Sequence, residues 1–96
     1  MFDEEVLAPE KESVISIDDS AQKPKSLVIY NDDVNTFEYV IESLIKVCEH
    51  QPIQAEQCTW LIHHKGKCAV KNGVFPKLKP MKQALLDRGI SAVIEG

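Results

Sequence analysis

This 96-residue chain has no long apolar run, and only 6% of its residues are aromatic. A helix that spans a bilayer needs about 18 or more consecutive apolar residues. The start, Met-Phe-Asp-Glu-Glu, also lacks the basic segment and apolar core of a signal peptide. We therefore expect no membrane partner and predict a cytoplasmic protein.

Cysteine is scarce as well. Cys48, Cys58 and Cys68 are an odd number, and no two of them form a Cys-x-x-Cys pair. The spacing matches neither a disulfide framework nor a recognised structural zinc site. We interpret all three as small core residues in a reducing compartment and predict no metal and no cofactor.

The net charge of -4 is unevenly distributed along the chain. Residues 1–24 contain seven acidic residues and two lysines, whereas residues 25–96 contain eight acidic and nine basic residues. The second part is therefore nearly neutral, which favours neither nucleic acid nor an anionic membrane as a partner.

Residues 1–24 mix acidic residues, Ser, Gln and Pro without a sustained apolar period. Such a segment buries too little apolar surface to offset its ordering entropy, so we predict a disordered N-terminal extension. A solubilising leader is one interpretation of it. The patch Val14-Ile15-Ser16-Ile17 suggests another, namely a short segment that a partner binds.

The stretch Ser26–Asp33 predicts a strand that ends in the polar turn Asn31-Asp32-Asp33. A helix follows, with Asn35 or Thr36 as its N-cap and Glu38 placed as in a capping box with Asn35. The apolar residues of this helix recur at spacings of three and four: Phe37, Val40, Ile41, Leu44, Ile45 and Cys48. Strand, turn and helix would form one rigid corner that can hold acceptor groups for a ligand.

The rest of the chain predicts two more helices and two more strands. We place a second helix from Ile53 or Gln54 to Gly66, a strand at Lys67–Lys71, a third helix from Lys77 or Pro80 to Arg88 with Gly89 as its cap, and a strand at Ile90–Glu95. The predicted fold is an α+β two-layer sandwich in the order β-α-α-β-α-β. Its three-stranded antiparallel sheet would carry three helices on one face.

Several polar residues invite a catalytic or metal-binding interpretation. Asp32 and Asp33 are adjacent, so in an extended backbone they diverge and do not form an acid-base pair. A metal-binding regulatory domain remains an alternative, although adjacent His63 and His64 diverge by about 100° on a helix. A hydrolase that uses Cys68 with a histidine is the other alternative.

Two motifs together resemble the ClpS family of protease adaptors over residues 25–96. The first is Leu-Val-Ile-Tyr-Asn-Asp-Asp at residues 27–33, followed by the helix that begins Phe-Glu-Tyr-Val. The second is His-His-Lys-Gly-Lys at residues 63–67, followed by Gly73-Val74-Phe75. Each motif alone is common, but the pair at this separation is specific.

The resemblance implies a non-enzymatic adaptor of the bacterial N-end rule pathway. Such an adaptor binds proteins with a bulky apolar N-terminal residue (Leu, Phe, Tyr or Trp) and delivers them to the N-terminal domain of a ClpA-type AAA+ unfoldase for degradation by ClpP. By position, the resemblance implies that Asn31, Asp32, Asp33 and His63 bind the N-terminal ammonium and the adjoining peptide. Asp33 would also shape the turn. The implied side-chain pocket consists of Asn35, Phe37, Val40, Thr59, Ile62 and Ile90.

Two pocket residues depart from the family pattern. Phe37 and Thr59 stand where the family usually has methionines, so a flexible wall is replaced by a stiff ring and a shorter side chain. The order of preference among Leu, Phe, Tyr and Trp is therefore left open. The last helix is about two turns shorter than in better-known members, in a region that the family uses to contact the unfoldase.

Overall fold

The computed structural model of the chain describes residues 22–96. Most of the predicted N-terminal extension, including the patch at residues 14–17, lies outside the described residues. Pro24, the last residue of that extension, is the first residue of a strand.

The described residues form three strands and three helices, and the predicted order β-α-α-β-α-β is confirmed. The elements are strand β1 (Pro24–Tyr30), helix α1 (Phe37–Cys48), helix α2 (Pro52–Lys65), strand β2 (Lys67–Val74), helix α3 (Phe75–Asp87) and strand β3 (Ala92–Glu95). None of these helices, all of them within the described part of the chain, combines the length and apolar character needed to cross a bilayer.

Strand β1 is the central strand of a three-stranded antiparallel sheet with the order β2-β1-β3. Its central position explains why Leu27, Val28 and Ile29 are all buried, since strands lie on both sides of them. The register with β2 shifts between Leu27, which pairs with Lys71, and Val28, which pairs with Ala69. Val70 is thereby left as the extra residue of a bulge, and it is buried in the core.

The helices bury one stripe each against this sheet. In α1, Val40, Leu44 and Cys48 recur every four residues and are at most 4% exposed. The core continues through residues of α2, α3, the segment between α3 and β3, and β3 itself: Ala55, Ile62, Leu78, Leu85, Ile90 and Ala92. Full burial of one such leucine contributes about 1.5–3 kcal/mol to folding. Because the spacing in the sequence places these side chains on one face of each helix, it determines which face of the helix packs on the sheet.

Element boundaries differ from the sequence prediction where contacts between distant residues decide them. Strand β2 continues to Val74 instead of ending at Lys71, because Lys25 and Ser26 pair with Gly73 and Asn72. The side chains of Ser26 and Asn72 also form a hydrogen bond of 2.8 Å.

Helix boundaries shift for local reasons. Helix α2 begins at Pro52 and α3 at Phe75, each with a proline in the first turn, where a missing N–H costs no helical hydrogen bond. Pro80 therefore lies inside α3. Strand β3 begins at Ala92 and not at Ile90, because the N–H of Ile90 donates to Leu85 O and closes the end of α3.

Candidate functional site

A recess opens where β1 ends, between the first turns of α1 and the last turns of α2. Its empty volume is about 210 Å³, including space open to solvent. It is lined by Ile29, Tyr30, Asn31, Asp32, Asn35, Val40, Ile62, His63 and Ile90. The four aliphatic residues among these are at most 4% exposed. The recess therefore has an apolar floor and a polar rim, and seven of the ten residues that the sequence predicted for the site line it.

Backbone hydrogen bonds hold the end of β1 to the elements on either side. The N–H of Tyr30 donates to Ser91 O at 3.0 Å, and that of Asn31 donates to Gly66 O at 2.9 Å. Gly66 is the C-cap of α2 and has φ 95°, a conformation that a side chain would make costly. Asn31 is thus held beside the last turn of α2, which carries His63.

The tautomer and the orientation of the His63 ring are set by a contact within its own helix. Its Nδ1 lies 3.1 Å from the carbonyl oxygen of Thr59, one turn earlier in α2. A carbonyl oxygen only accepts, so Nδ1 carries the proton and donates it. In the neutral ring, Nε2 is then an acceptor. The ring also contacts Phe37, with centroids 5.1 Å apart at 49°.

Asp32 shapes the turn that follows the strand. Its Oδ1 accepts from the N–H groups of Val34 and Asn35, at 3.0 and 3.2 Å, and from Asn35 Nδ2 at 3.1 Å. Its Oδ2 accepts from Asn35 Nδ2 and, at 3.4 Å, from the hydroxyl of Ser91. The sequence prediction assigned the shaping of this turn to Asp33, which is exposed. Among residues 22–96, the carboxylate that accepts hydrogen bonds from the turn is that of Asp32.

Asn35 connects the turn to the far end of the chain. Besides Asp32, its Nδ2 reaches Gly89 O at 3.0 Å. The side chain of Asn35 is thus engaged away from the helix, and Thr36 is the N-cap of α1. The hydroxyl oxygen of Thr36 accepts from the N–H of Tyr39 at 3.1 Å. The capping box predicted for Asn35 with Glu38 does not form. The hydrogen bond of the Asn35 amide to Gly89 O instead holds the next residue, Ile90, in place at the recess.

A second set of contacts, made by Arg88, holds the segment between α3 and β3 against α1. The hydroxyl of Tyr39 donates to Arg88 O at 2.8 Å, and Arg88 Nε donates to the hydroxyl of Ser43 at 2.8 Å. These contacts tie the end of α3 to α1. The sequence analysis missed Arg88 and Ser91 as supports of the site, and no local pattern in the sequence indicates them.

Three predicted residues do not line the recess. Asp33 is exposed. Thr59 is fully buried, and its hydroxyl donates to Ala55 O at 2.7 Å within α2. Phe37 lies beside His63 at the edge of the recess.

Neither Cys48 nor Cys68 provides an activated nucleophile. Burial, together with the neighbouring Cys58 thiol, raises the pKa of Cys68 to about 12, and burial raises the pKa of Cys48 to about 11. Both thiols stay protonated near neutral pH, which argues against the hydrolase alternative. Among residues 22–96, no three His, Cys, Asp or Glu side chains are arranged so that they could hold a metal ion.

Comparison with known proteins identifies the class. The sequence model of the family described as "ATP-dependent Clp protease adaptor protein ClpS" matches residues 20–91. A protein of Rhodococcus jostii named ATP-dependent Clp protease adapter protein ClpS is 25% identical over 89 residues, which cover 93% of this chain and 80% of that protein. A protein of the same name from Clostridium acetobutylicum is 40% identical over 57 residues, 57% of this chain and 54% of that protein.

The class is therefore that of protease adaptors, on the strength of a match over most of the chain. The chain belongs to the ClpS family of Clp protease adaptors. Its partners, in general terms, are components of the Clp protease system and their substrates.

The hydrogen bonds of Asp32 predict a stability difference between two adjacent acidic residues. Asp32→Ala removes the acceptor for two backbone N–H groups and for the amide of Asn35, so we expect a loss of about 1–2 kcal/mol in the free energy of unfolding. Asp33→Ala, at an exposed site, should change it by less than about 0.5 kcal/mol. Urea unfolding measures both, and equal losses would contradict the assignment of the turn to Asp32.

Proposed function

We propose that this chain captures proteins through a bulky apolar N-terminal residue (Leu, Phe, Tyr or Trp) and delivers them to a ClpA-type AAA+ unfoldase for degradation by ClpP. It acts in the cytoplasm as an adaptor without catalytic activity, and it needs no metal or cofactor. The observation that carries this proposal is the hydrogen bond of His63 Nδ1 to Thr59 O, which leaves Nε2 as the acceptor of the neutral ring at the rim of an apolar recess that Asn31 also lines.

An N-terminal ammonium group has three donors and no acceptor, so its binding site must offer acceptors only. The Asn31 carbonyl and His63 Nε2 are two such acceptors. The Asp32 carboxylate, although engaged in the turn, supplies negative charge nearby and takes part directly or through water. Asp33 contributes a second negative charge and contacts the peptide backbone. The rim therefore suits a cation that carries donors.

The apolar floor suits the first side chain of the captured protein. Val40, Ile62 and Ile90 line the recess and are at most 4% exposed without a ligand, so a bulky side chain reaches them only when side chains at the edge of the recess move aside. Burying one large side chain contributes about 1.5–3 kcal/mol, and each charge-assisted hydrogen bond about as much. After the cost of association these contributions reach a Kd in the micromolar range, which suits capture followed by release.

Phe37 and Thr59 bear on which first residues are preferred. The ring of Phe37 rests against His63, so it forms a stiff wall where a methionine would adapt to different ligands. The Thr59 hydroxyl is engaged with Ala55 O, so Thr59 presents no free polar group to the recess. The stiff wall at Phe37 therefore favours first residues of one size, whereas a flexible wall would accept side chains of several sizes.

Binding should depend on a free N-terminus and on the first residue. For a peptide that begins with Leu, acetylation removes the charge and two donors and leaves the acceptors at the rim unpaired, so affinity should fall at least about ten-fold. Replacing the first Leu by Ser should lower it similarly, because the apolar contact is lost. Fluorescence anisotropy with labelled peptides measures this. Equal affinity for free and acetylated peptides would rule out the ammonium site.

His63 and His64 are adjacent, so substitution of each by Ala gives a matched pair of variants. His63→Ala should weaken binding of a Leu-first peptide about ten-fold, whereas His64→Ala should change it less than about three-fold. For the intact protein, affinity should fall above about pH 8, where the peptide amine loses its proton. A larger effect of His64→Ala than of His63→Ala would contradict the assignment.

Delivery should require the N-terminal extension, which we propose the unfoldase engages. A flexible chain of about 24 residues spans roughly 25–30 Å on average, enough to reach the axial pore of a partner docked nearby. Pulling on the extension would then transfer the captured protein. Residues 1–24 have a net charge of -5, whereas residues 25–96 have a net charge of +1. None of the residues that line the recess lies in the extension.

Deletion of residues 1–20 should separate capture from delivery. We expect unchanged affinity for a Leu-first peptide, because all recess residues remain. Degradation of a reporter with an N-terminal Leu should stop in a reconstituted unfoldase-peptidase assay. If the truncated chain delivers the reporter as fast as the full chain, the extension is only a solubilising leader.

A further inference from the structure

The sheet has a second face, on the side away from the helices. Leu27 and Ile29 belong to the core cluster that the helices share, whereas Val28, although buried, does not. Successive residues of a strand point to opposite faces of the sheet, so Val28 lies on the second face. Val28 pairs with Ala69 of β2 on one side and with Val93 of β3 on the other. These three residues form an apolar row across what we call the outer face of the sheet.

The outer face forms a shallow groove. Residues of all three strands line it, among them Ser26, Lys67, Ala69 and Glu95. Its empty volume is about 710 Å³, including space open to solvent. Val93 is 43% exposed. The helices α1, α2 and α3 bury their apolar residues in the core on the opposite face, so none of the described helices covers this apolar row.

Lys67 gives one end of the outer face a positive charge. It pairs with Tyr30, at the end of β1 that lies away from Pro24, and its Nζ lies 5.6 Å from the centroid of the Tyr30 ring. Lys67 is exposed and forms no ion pair with another residue of the range 22–96. At the other end, Glu95 pairs with Ser26 and accepts a hydrogen bond from the hydroxyl of Tyr30. An apolar segment with an acidic residue at the Lys67 end is therefore complementary to this face.

The N-terminal extension contains a segment of this kind. Residues 14–17 are Val-Ile-Ser-Ile; Glu12 lies two residues before them, and two aspartates follow them directly. In an extended segment Ile15 and Ile17 lie on the same side. Asp and Ser favour turns, so residues 18–20, Asp-Asp-Ser, allow the chain to turn back from β1 over the outer face.

The connection between this segment and β1 has a suitable length. Six residues separate Ile17 from Pro24, the first residue of β1, and when extended they span about 20 Å. The strand itself is also about 20 Å long, so residues 14–17 can reach any part of the outer face. A short flexible connection gives an effective concentration in the mM range, so that a contact with a Kd of about 0.1 mM is formed about nine-tenths of the time.

We propose that residues 14–17 of the N-terminal extension dock on the outer face of the sheet of the same chain. Ile15 and Ile17 then lie against Val28 and Val93, and Glu12 lies at the end that carries Lys67. The docking itself does not depend on the proposed function. Its consequence rests on that function, because a docked extension is held back from the unfoldase until it is released.

The test is limited cleavage of the full chain by elastase, which cuts after small aliphatic residues, with the products identified by mass spectrometry. Cleavage in a segment follows the fraction of the chain in which that segment is released. Val93→Glu should therefore speed cleavage at residues 14–17 about ten-fold and leave cleavage at residues 6–8, Val-Leu-Ala, unchanged. Leu86→Glu places the same charge at a similarly exposed apolar residue of α3 and should change neither rate.

A charge exchange tests the direction of the docked segment. Lys67→Glu should speed cleavage at residues 14–17 about three-fold at low salt, and adding Glu12→Lys to this variant should restore the slow rate. Lys79→Glu reverses the charge of an exposed lysine on α3 and should have no effect. Circular dichroism spectra and urea unfolding that match the parent protein establish that each variant is folded. The Lys67 variants keep the proposal testable if Val93→Glu does not fold.

Several results would overturn the proposal. They are equal effects of Val93→Glu and Leu86→Glu, or of Lys67→Glu and Lys79→Glu, and a failure of Glu12→Lys to restore the slow rate. Protection that rises with protein concentration would assign the outer face to a second copy of the chain. Protection that appears only with an added ClpA-type N-terminal domain would assign it to the unfoldase. The comparison needs no captured peptide, so its failure leaves the proposed capture standing, and a failure of capture leaves the docking standing.

Discussion

The site depends on how the end of the central strand is held. Tyr30 and Asn31 donate their backbone N–H groups to opposite neighbours, Ser91 on one side and Gly66 on the other. These two bonds bring the end of α2 and the segment before β3 to the same point, although the two segments are far apart in the chain. A recess with acceptors on its rim exists only because both segments meet there.

The polar groups around the recess divide into supports and available acceptors. The carboxylate of Asp32 and the amide of Asn35 are engaged by one another, by Ser91 and by Gly89 O. A network in which the groups are mutually satisfied is rigid, so the acceptors that remain are presented in a fixed geometry. His63 follows the same logic, since its bond to Thr59 O determines which ring nitrogen faces outward.

Helix α2 serves two surfaces at once. Ile62 and His63 face the recess, while Glu56 and Trp60 face a second, shallower surface between α1 and α2. On a helix a shift of one residue turns the side chain by about 100°, so His63 contacts Phe37 whereas His64 stacks on Trp60. One rigid helix thereby fixes the position of the His63 ring relative to the surface that carries Trp60.

The sequence by itself determined the order of the elements and the buried stripes of the helices. These follow from local periodicity and from the polar turn at residues 31–33, which are properties of neighbouring residues. The resemblance of the sequence to the ClpS family, and not its periodicity, indicated most of the residues that line the recess. Only the tertiary structure decided that Asp32 and not Asp33 shapes the turn, and that Asn35 bonds to Gly89 instead of capping α1. It also decided how far β2 extends and where β3 begins. The bond of Asn35 to Gly89 and the extent of β2 depend on partners distant in the chain, and local sequence preferences carry no information about which distant partner will be there. The turn at Asp32 and the start of β3 depend on hydrogen bonds over two to five residues, and the sequence alone does not choose between two adjacent carboxylates.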